Sequence, residues 1–183
     1  DELLGLYHRH LTRELPKATG DVRIFDDKNI DIGLLHLNDA HELAPLLAAY
    51  VQSLKRGAPR RPDEYYAEQL LQDRSAQIFG ARLDGELVGF VMFYDLPDPV
   101  TGMRQGQVDH IYVSHAHRGL GIARAMIDML ADLADTHGWS RLMLNAPRLP
   151  EDGRKLYERI ASAADHTSWQ MSFDQNQSPK DRG

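Results

Sequence analysis

The chain has 183 residues, 42% of them apolar and 26% charged, with a net charge of −6. That length supports one domain with a real core, and the negative balance disfavours non-specific nucleic-acid binding while mildly favouring cationic small partners. The chain holds no cysteine, which excludes disulfides and a thiol nucleophile and makes the cytoplasm the default compartment. No apolar run approaches the roughly 20 residues that a bilayer span needs, and no signal-peptide pattern is read.

Residues 1–29 read as an N-terminal extension. Leu4, Tyr7 or His8, Leu11 and Leu15 recur at helical spacing, Pro16 marks a stop, and Val22–Phe25 forms a short strand pattern. His8 and His10 would point to different faces of such a helix, which argues against a metal site. The extension is expected to pack on the domain or on a second subunit, making it a candidate dimer surface.

Ile30–Leu37 reads as the first strand, with Asn38 or Asp39 capping a helix whose apolar positions include Leu43, Leu46, Leu47, Tyr50, Val51 and Leu54. Lys55–Gly57 ends it, and Pro59–Pro62 is a short basic loop. A second helix is expected from about Pro62 to Asp73, carrying Tyr65, Tyr66, Leu70 and Leu71. Ala76–Leu83 and Glu86–Tyr94 form a hairpin around Asp84-Gly85, a pair that tolerates positive φ. Leu96–Gln105, with two prolines and a glycine, reads as a loop, and Gln107–Val113 as the next strand. Strand alternation puts Asp109, Ile111 and Val113 on one face, His110 and Tyr112 on the other.

A glycine turn follows, then a helix with Ile122, Met126, Ile127, Leu130, Leu133 and Ala134 on one side and Gly138 as a left-handed cap. Arg141–Asn145 reads as a strand, Pro147–Pro150 as a loop, Glu151–Ile160 as a helix and Ser168–Phe173 as a closing strand; Asp174–Gly183 is a polar tail. The domain thus spans residues 30–173, with the tail at 174–183. Its fold class is α/β, a mixed, mostly antiparallel central sheet flanked by helices.

The turn is where chemistry is expected. Strand, glycines, helix is a device for holding a phosphate, because glycine lets the backbone approach an anion and the first helical N–H groups have no partner in the helix. A P-loop run is absent, and a dinucleotide fingerprint would need a small residue where Arg124 stands. What remains is Arg118-Gly119-Leu120-Gly121-Ile122-Ala123, an Arg-x-x-Gly-x-Gly/Ala pattern.

That pattern, preceded by Ile111-Tyr112-Val113 and followed by a helix, resembles the pyrophosphate loop of the GCN5-related N-acetyltransferases (GNAT), and the order of elements resembles theirs across residues 30–173. The resemblance implies an N-acetyltransferase with acetyl-CoA as co-substrate; no metal is expected, and without cysteine direct attack in a ternary complex is the simpler mechanism. It implies that backbone groups of Ile111, Tyr112 and Val113 bind the pantetheine arm and that N–H groups from Gly119 through Leu120, Gly121, Ile122 and Ala123 to Arg124 hold the pyrophosphate, with Arg118 fixing the loop. Asn145 matches an Asn that touches the cofactor, although its separation from Tyr157 is longer than the family's. Tyr157 matches a general acid at the departing sulfur. The run from Val108 to Ile122 further resembles the diamine-acetyltransferase branch, with an acidic residue at Asp109 and a tryptophan like Trp169. Asp109 is then a base acting through water or a site for the cationic amine, and His110 is the competing base. In the family, two helices after the first strand form one wall of the acceptor site, so Tyr65 and Tyr66 either touch substrate there or pack. The expected acceptor is a primary amine of a small molecule, with no nucleic-acid or membrane partner. Alternatives are a protein α-amine or lysine acetyltransferase and a catalytically silent acyl-CoA-binding module.

Overall fold

The computed structural model describes residues 29–54, 62–145 and 151–171. The expectations on 1–28 (the extension's helix and strand), on 55–61, on the loop 146–150 and on the tail lie outside the described residues. Two compact units make up the chain, Asp1–Pro150 and Glu151–Gly183.

The first unit is built on one sheet. Its strands are β1 (Ile30–Leu34), β2 (Gln77–Leu83), β3 (Glu86–Asp98), β4 (Met103–Val113) and β5 (Trp139–Leu144), in spatial order β1-β2-β3-β4-β5. The first four are antiparallel neighbours and β5 runs parallel to β4. Helices α1 (Ala40–Ser53) and α2 (Glu64–Gln72) lie between β1 and β2, and α3 (Ile122–His137) between β4 and β5. The second unit carries α4 (Glu151–Ile160).

Both faces of the sheet are covered, which is why β3 reads as a continuous apolar run rather than an alternation. On one face Ile78, Leu87, Phe90 and Tyr112 pack with Leu43, Leu46, Leu47 and Tyr50 of α1 and Ala67 of α2. Helix α3 presses on the other. A methyl at Gly89 would lie 2.9 Å from the Tyr112 carbonyl of the neighbouring strand, which glycine avoids, while Met126 Cε of the helix would sit in ordinary contact at 3.5 Å. Met126 and Leu130 are fully buried, each contributing about 1.5–3 kcal/mol by leaving water.

Several local features follow the sequence. Asp84 and Gly85 both take positive φ, 51° and 87°, giving the tight turn that sets Leu83 opposite Glu86. Gly138 closes α3 at φ 66°. Asp39 stands at the N-cap of α1, but its carboxylate accepts from the His36 N–H (2.7 Å) and from Arg82 Nη2 (2.9 Å) rather than from the helix.

Two expectations are corrected. Leu96–Gln105 is mostly strand: β3 runs to Asp98 and β4 begins at Met103. The turn between them is stapled by Asp98, whose carboxylate accepts from Val100 N–H and Thr101 Oγ1, both at 3.0 Å, with Gly102 at φ 68°. Pro97 is tolerated because β2 ends opposite Phe93, leaving that side of β3 without a ladder to break. The closing strand expected over Ser168–Phe173 is the second correction: its described residues, 168–171, have no regular structure, with Trp169 92% and Met171 78% exposed.

Candidate active site

The site begins with an irregularity in β4. Met92 pairs with His110, but the next β3 residue, Phe93, pairs with Val108. Asp109 is therefore an extra residue, a β-bulge. Cross-strand partners share a face, so Val108 joins Phe93 on the α3 face although it is two residues from His110. The expected separation of Asp109 from His110 is overturned by this bulge. Gln107 pairs with Tyr94, placing it on the α1 face with Met92 and His110, and Gln107 Nε2 donates to both Asp109 oxygens at 3.1 and 3.2 Å. Asp109 and His110 are thus brought to the same face, side by side.

The same position is where the sheet splits. Val108 opposite Leu144 is the last β4–β5 register pair, followed by a 2.8 Å bond from Asn145 N–H to the Val108 carbonyl. Beyond it, β4 from Asp109 to Val113 pairs with β3 alone among the described residues. Its outer edge over Ile111, Tyr112 and Val113 carries no partner strand among the described residues. At the fork, Asn145 Nδ2 donates to Asp109 Oδ1 at 2.9 Å. The partners of the Asp109 carboxylate among the described residues are neutral amides, which orient it.

His110 is half-buried, and its Nδ1 lies 2.9 Å from the Tyr50 hydroxyl on α1. Burial pushes its pKa below the ordinary histidine value, and the Asp109 charge opposes this only in part. The ring is therefore neutral near pH 7. Tyr94, across from Gln107, has its phenol pKa raised by burial and then by the charges of Asp109 and Asp73.

The glycine loop follows β4 directly. Ser114 N–H donates to the Val88 carbonyl at 2.8 Å, and a short 3-10 turn over His115–His117 leads to Arg118. Gly119 and Gly121 take φ 76° and 83°, and Gly121 is the left-handed N-cap of α3. A Cβ at either would meet nothing within 4 Å, so backbone conformation rather than crowding selects glycine here. The N–H groups of Ile122, Ala123 and Arg124 open the helix without acceptors inside it, at the positive end of its dipole. This loop fits a pyrophosphate. Arg118 Nε donates back to the Val113 carbonyl at 3.2 Å, and its guanidinium lies 5.7 Å from the Tyr112 ring centre. Arg124 pairs with Asp128 at 2.8 Å.

Of the residues singled out in the sequence, the structure gathers Asp109, His110 and Asn145 at the fork and Arg118–Arg124 in the loop. Tyr157 lies in the second unit, on α4 beside the buried Leu156. Gln107 and Tyr50 are the partners that sequence reasoning did not single out for a site. A hydroxyl-tipped aromatic at an apolar helix position was the available signal for Tyr50. Among the described residues, no group of three or more His, Asp or Glu is placed to hold a metal, and no helix is long and apolar enough to cross a membrane.

Residues 43–161 match the model of the acetyltransferase (GNAT) family. A mouse protein, probable N-acetyltransferase family 8 member 5, is 30% identical over 174 residues, which covers 86% of this chain and 77% of that protein. Rat N-acetyltransferase 8 is 32% identical over 48% of this chain and 39% of its own length. Among solved structures, a ribosomal-protein-alanine N-acetyltransferase from Brucella melitensis biovar Abortus 2308 is 69% identical with a TM-score of 0.74, over 79% of this chain and 99% of that one. An aminoglycoside acetyltransferase from an uncultured soil metagenomic sample, 23% identical with a TM-score of 0.65 over 79% of this chain and 99% of its own, shares the fold. With the forked sheet, the glycine-capped helix and these matches together, the chain belongs to the GNAT acetyltransferase family and is an N-acetyltransferase of that type.

Proposed function

We propose that the protein transfers the acetyl group of acetyl-CoA to a primary amine by direct attack in a ternary complex at the Asp109–His110 fork. The observation that carries this reading is the bulge, which sets a carboxylate oriented by two amides beside a neutral imidazole on one face. An alkyl amine has a pKa near 10.4 and arrives as its ammonium. Asp109, held by Gln107 and Asn145, receives that cation, and His110 takes one proton. The freed nitrogen attacks the thioester carbonyl, the C–N bond forms and the C–S bond breaks. CoA leaves as a thiolate that takes a proton, in this reading from Tyr157, while the second proton shed by the nitrogen passes to solvent and exchange with water returns His110 and Tyr157 to their resting forms. The pyrophosphate rests on Gly119–Arg124 and the pantetheine arm along Ile111–Val113. A positioned base of this kind is worth about 10²–10⁴ in rate.

Two acceptor classes follow. A small-molecule amine is favoured by the carboxylate at Asp109 and by the likeness of its segment to the diamine branch. The α-amine of a protein is favoured by the similarity to the Brucella ribosomal-protein-alanine N-acetyltransferase. Thiol release from acetyl-CoA against diamines, amino acids, aminoglycosides and peptides beginning with alanine separates them. Acceptor-dependent release with one class is the expected result. Acetyl-CoA binding with no release for any of them would contradict turnover and favour a silent module.

A further inference from the structure

We infer that Tyr50 is a positioning residue for His110, its phenolic oxygen holding the imidazole in the tautomer that leaves the Nε2 lone pair open to the amine. This rests on His110 serving as the base.

His110 Nδ1 and the Tyr50 hydroxyl oxygen are 2.9 Å apart. A neutral imidazole carries one N–H, so the bond runs one of two ways. If the hydroxyl donates, the hydrogen sits on Nε2 and that nitrogen cannot accept a proton. If Nδ1–H donates to the phenolic oxygen, the Nε2 lone pair is free. The second arrangement also survives the reaction, because protonation at Nε2 leaves the Nδ1–H donor in place.

Tyr50 is built to hold that geometry. It is 9% exposed on α1. Its ring meets Phe90 edge-on (5.6 Å, 86°), His110 likewise (5.7 Å, 76°), and Tyr112 at a tilt (5.7 Å, 51°). A ring packed on three sides loses little further freedom when its hydroxyl orients a partner. A phenol is also a neutral partner. A carboxylate at the same nitrogen would raise the ring's pKa, whereas Tyr50 fixes orientation and leaves the effect of burial on the ring intact. Among the described residues, the charge that acts on the His110 ring is that of Asp109 on its own strand.

The test uses the full chain. In the wild-type resting enzyme, ¹⁵N shifts of His110 are expected to show the hydrogen on Nδ1; a hydrogen on Nε2 would overturn the inference without any variant. Tyr50→Phe keeps the ring and removes only the oxygen. It is expected to lower kcat about tenfold, to leave the KM for acetyl-CoA within about twofold, and to move His110 toward the Nε2–H form. If His110→Gln loses activity and Tyr50→Phe does not, the positioning role fails while the base remains. If neither loses activity, the base reading fails and the inference with it.

Discussion

Two aspartate–histidine clusters sit on this sheet, and they behave oppositely. Toward the β3–β4 turn, Asp95 Oδ1 accepts from Arg104 Nε (2.7 Å) and Trp139 Nε1 (2.9 Å), and Oδ2 lies 3.3 Å from His137 Nδ1. The Asp95 side chain is 5% exposed and that of His137 1%. At the fork, Asp109 and His110 are half-buried, the carboxylate meets only amides, and the imidazole meets a phenol. The residue types match; what differs is which groups oppose the charge and whether solvent or ligand reaches them. Burial alone would raise the Asp95 carboxyl pKa, but hydrogen bonds from His137, Arg104 and Trp139 outweigh it and hold the group below the ordinary value. Asp95 is sealed and satisfied, which is a structural role. Asp109 is oriented by amides and, among the described residues, meets no cation, which suits a site for one.

The sharpest way to break this contrast is to remove each aspartate. Asp109→Asn is expected to lower kcat by about 10²-fold or more with little change in the unfolding midpoint. Asp95→Ala should do the reverse. Removing one partner of a buried ionic network costs about 3–5 kcal/mol, read as a loss of unfolding free energy in denaturant, with kcat per folded molecule retained. If Asp95→Ala instead abolished turnover in folded protein, the two clusters would not be separable.

A smaller effect concerns the loop. Gly121→Ala forces a side chain into left-handed backbone, at a cost of about 1–2 kcal/mol. No atom blocks the added methyl, so the expected outcome is an altered loop rather than a clash. The KM for acetyl-CoA should rise about 5- to 30-fold, with the pH dependence of kcat unchanged. An unchanged KM would remove the loop from cofactor binding.

The smallest effects are those of pH, and they run in opposite ranges. The folded pKa of His110 lies below its unfolded value near 6.5. The unfolded chain therefore binds more protons just below pH 6.5, and stability falls as pH drops through that value until the folded group titrates too. Unfolding midpoints between pH 7.5 and 5.5 should decline less in His110→Gln than in wild type. The folded pKa of Asp95 is depressed, so its stabilisation is present above about pH 4 and is lost as pH falls through the folded value. Asp95→Ala should flatten the stability profile only in that acid range.

Much of this fold could be read from local chemistry. The Asp84-Gly85 turn, the Gly138 cap and the paired runs Ile78–Ala81 and Gly89–Met92 each rest on signals within a few residues. The β3–β4 turn was misread because Pro97 and Pro99 look like a loop; that Pro97 lies where β2 has already ended is a tertiary fact. The glycine loop was legible, since positive φ at Gly119 and Gly121 is a demand that the residue type itself declares. The fork was not. A bulge at Asp109 depends on how β3 pairs with β4, and no residue nearby announces it, so alternation put Asp109 and His110 on opposite faces. Tyr50 read as one more apolar helix position because its hydroxyl acts on a strand 60 residues away.

The central claim is that the fork at Asp109 and His110 performs the proton chemistry of acetyl transfer. Single-turnover acetylation of the acceptor found in the panel, with Asp109→Asn and His110→Gln each saturated with acetyl-CoA, tests it most directly. The account predicts that both variants bind acetyl-CoA as wild type does and transfer its acetyl group at least about 100-fold more slowly. Transfer at the wild-type rate in both would contradict it.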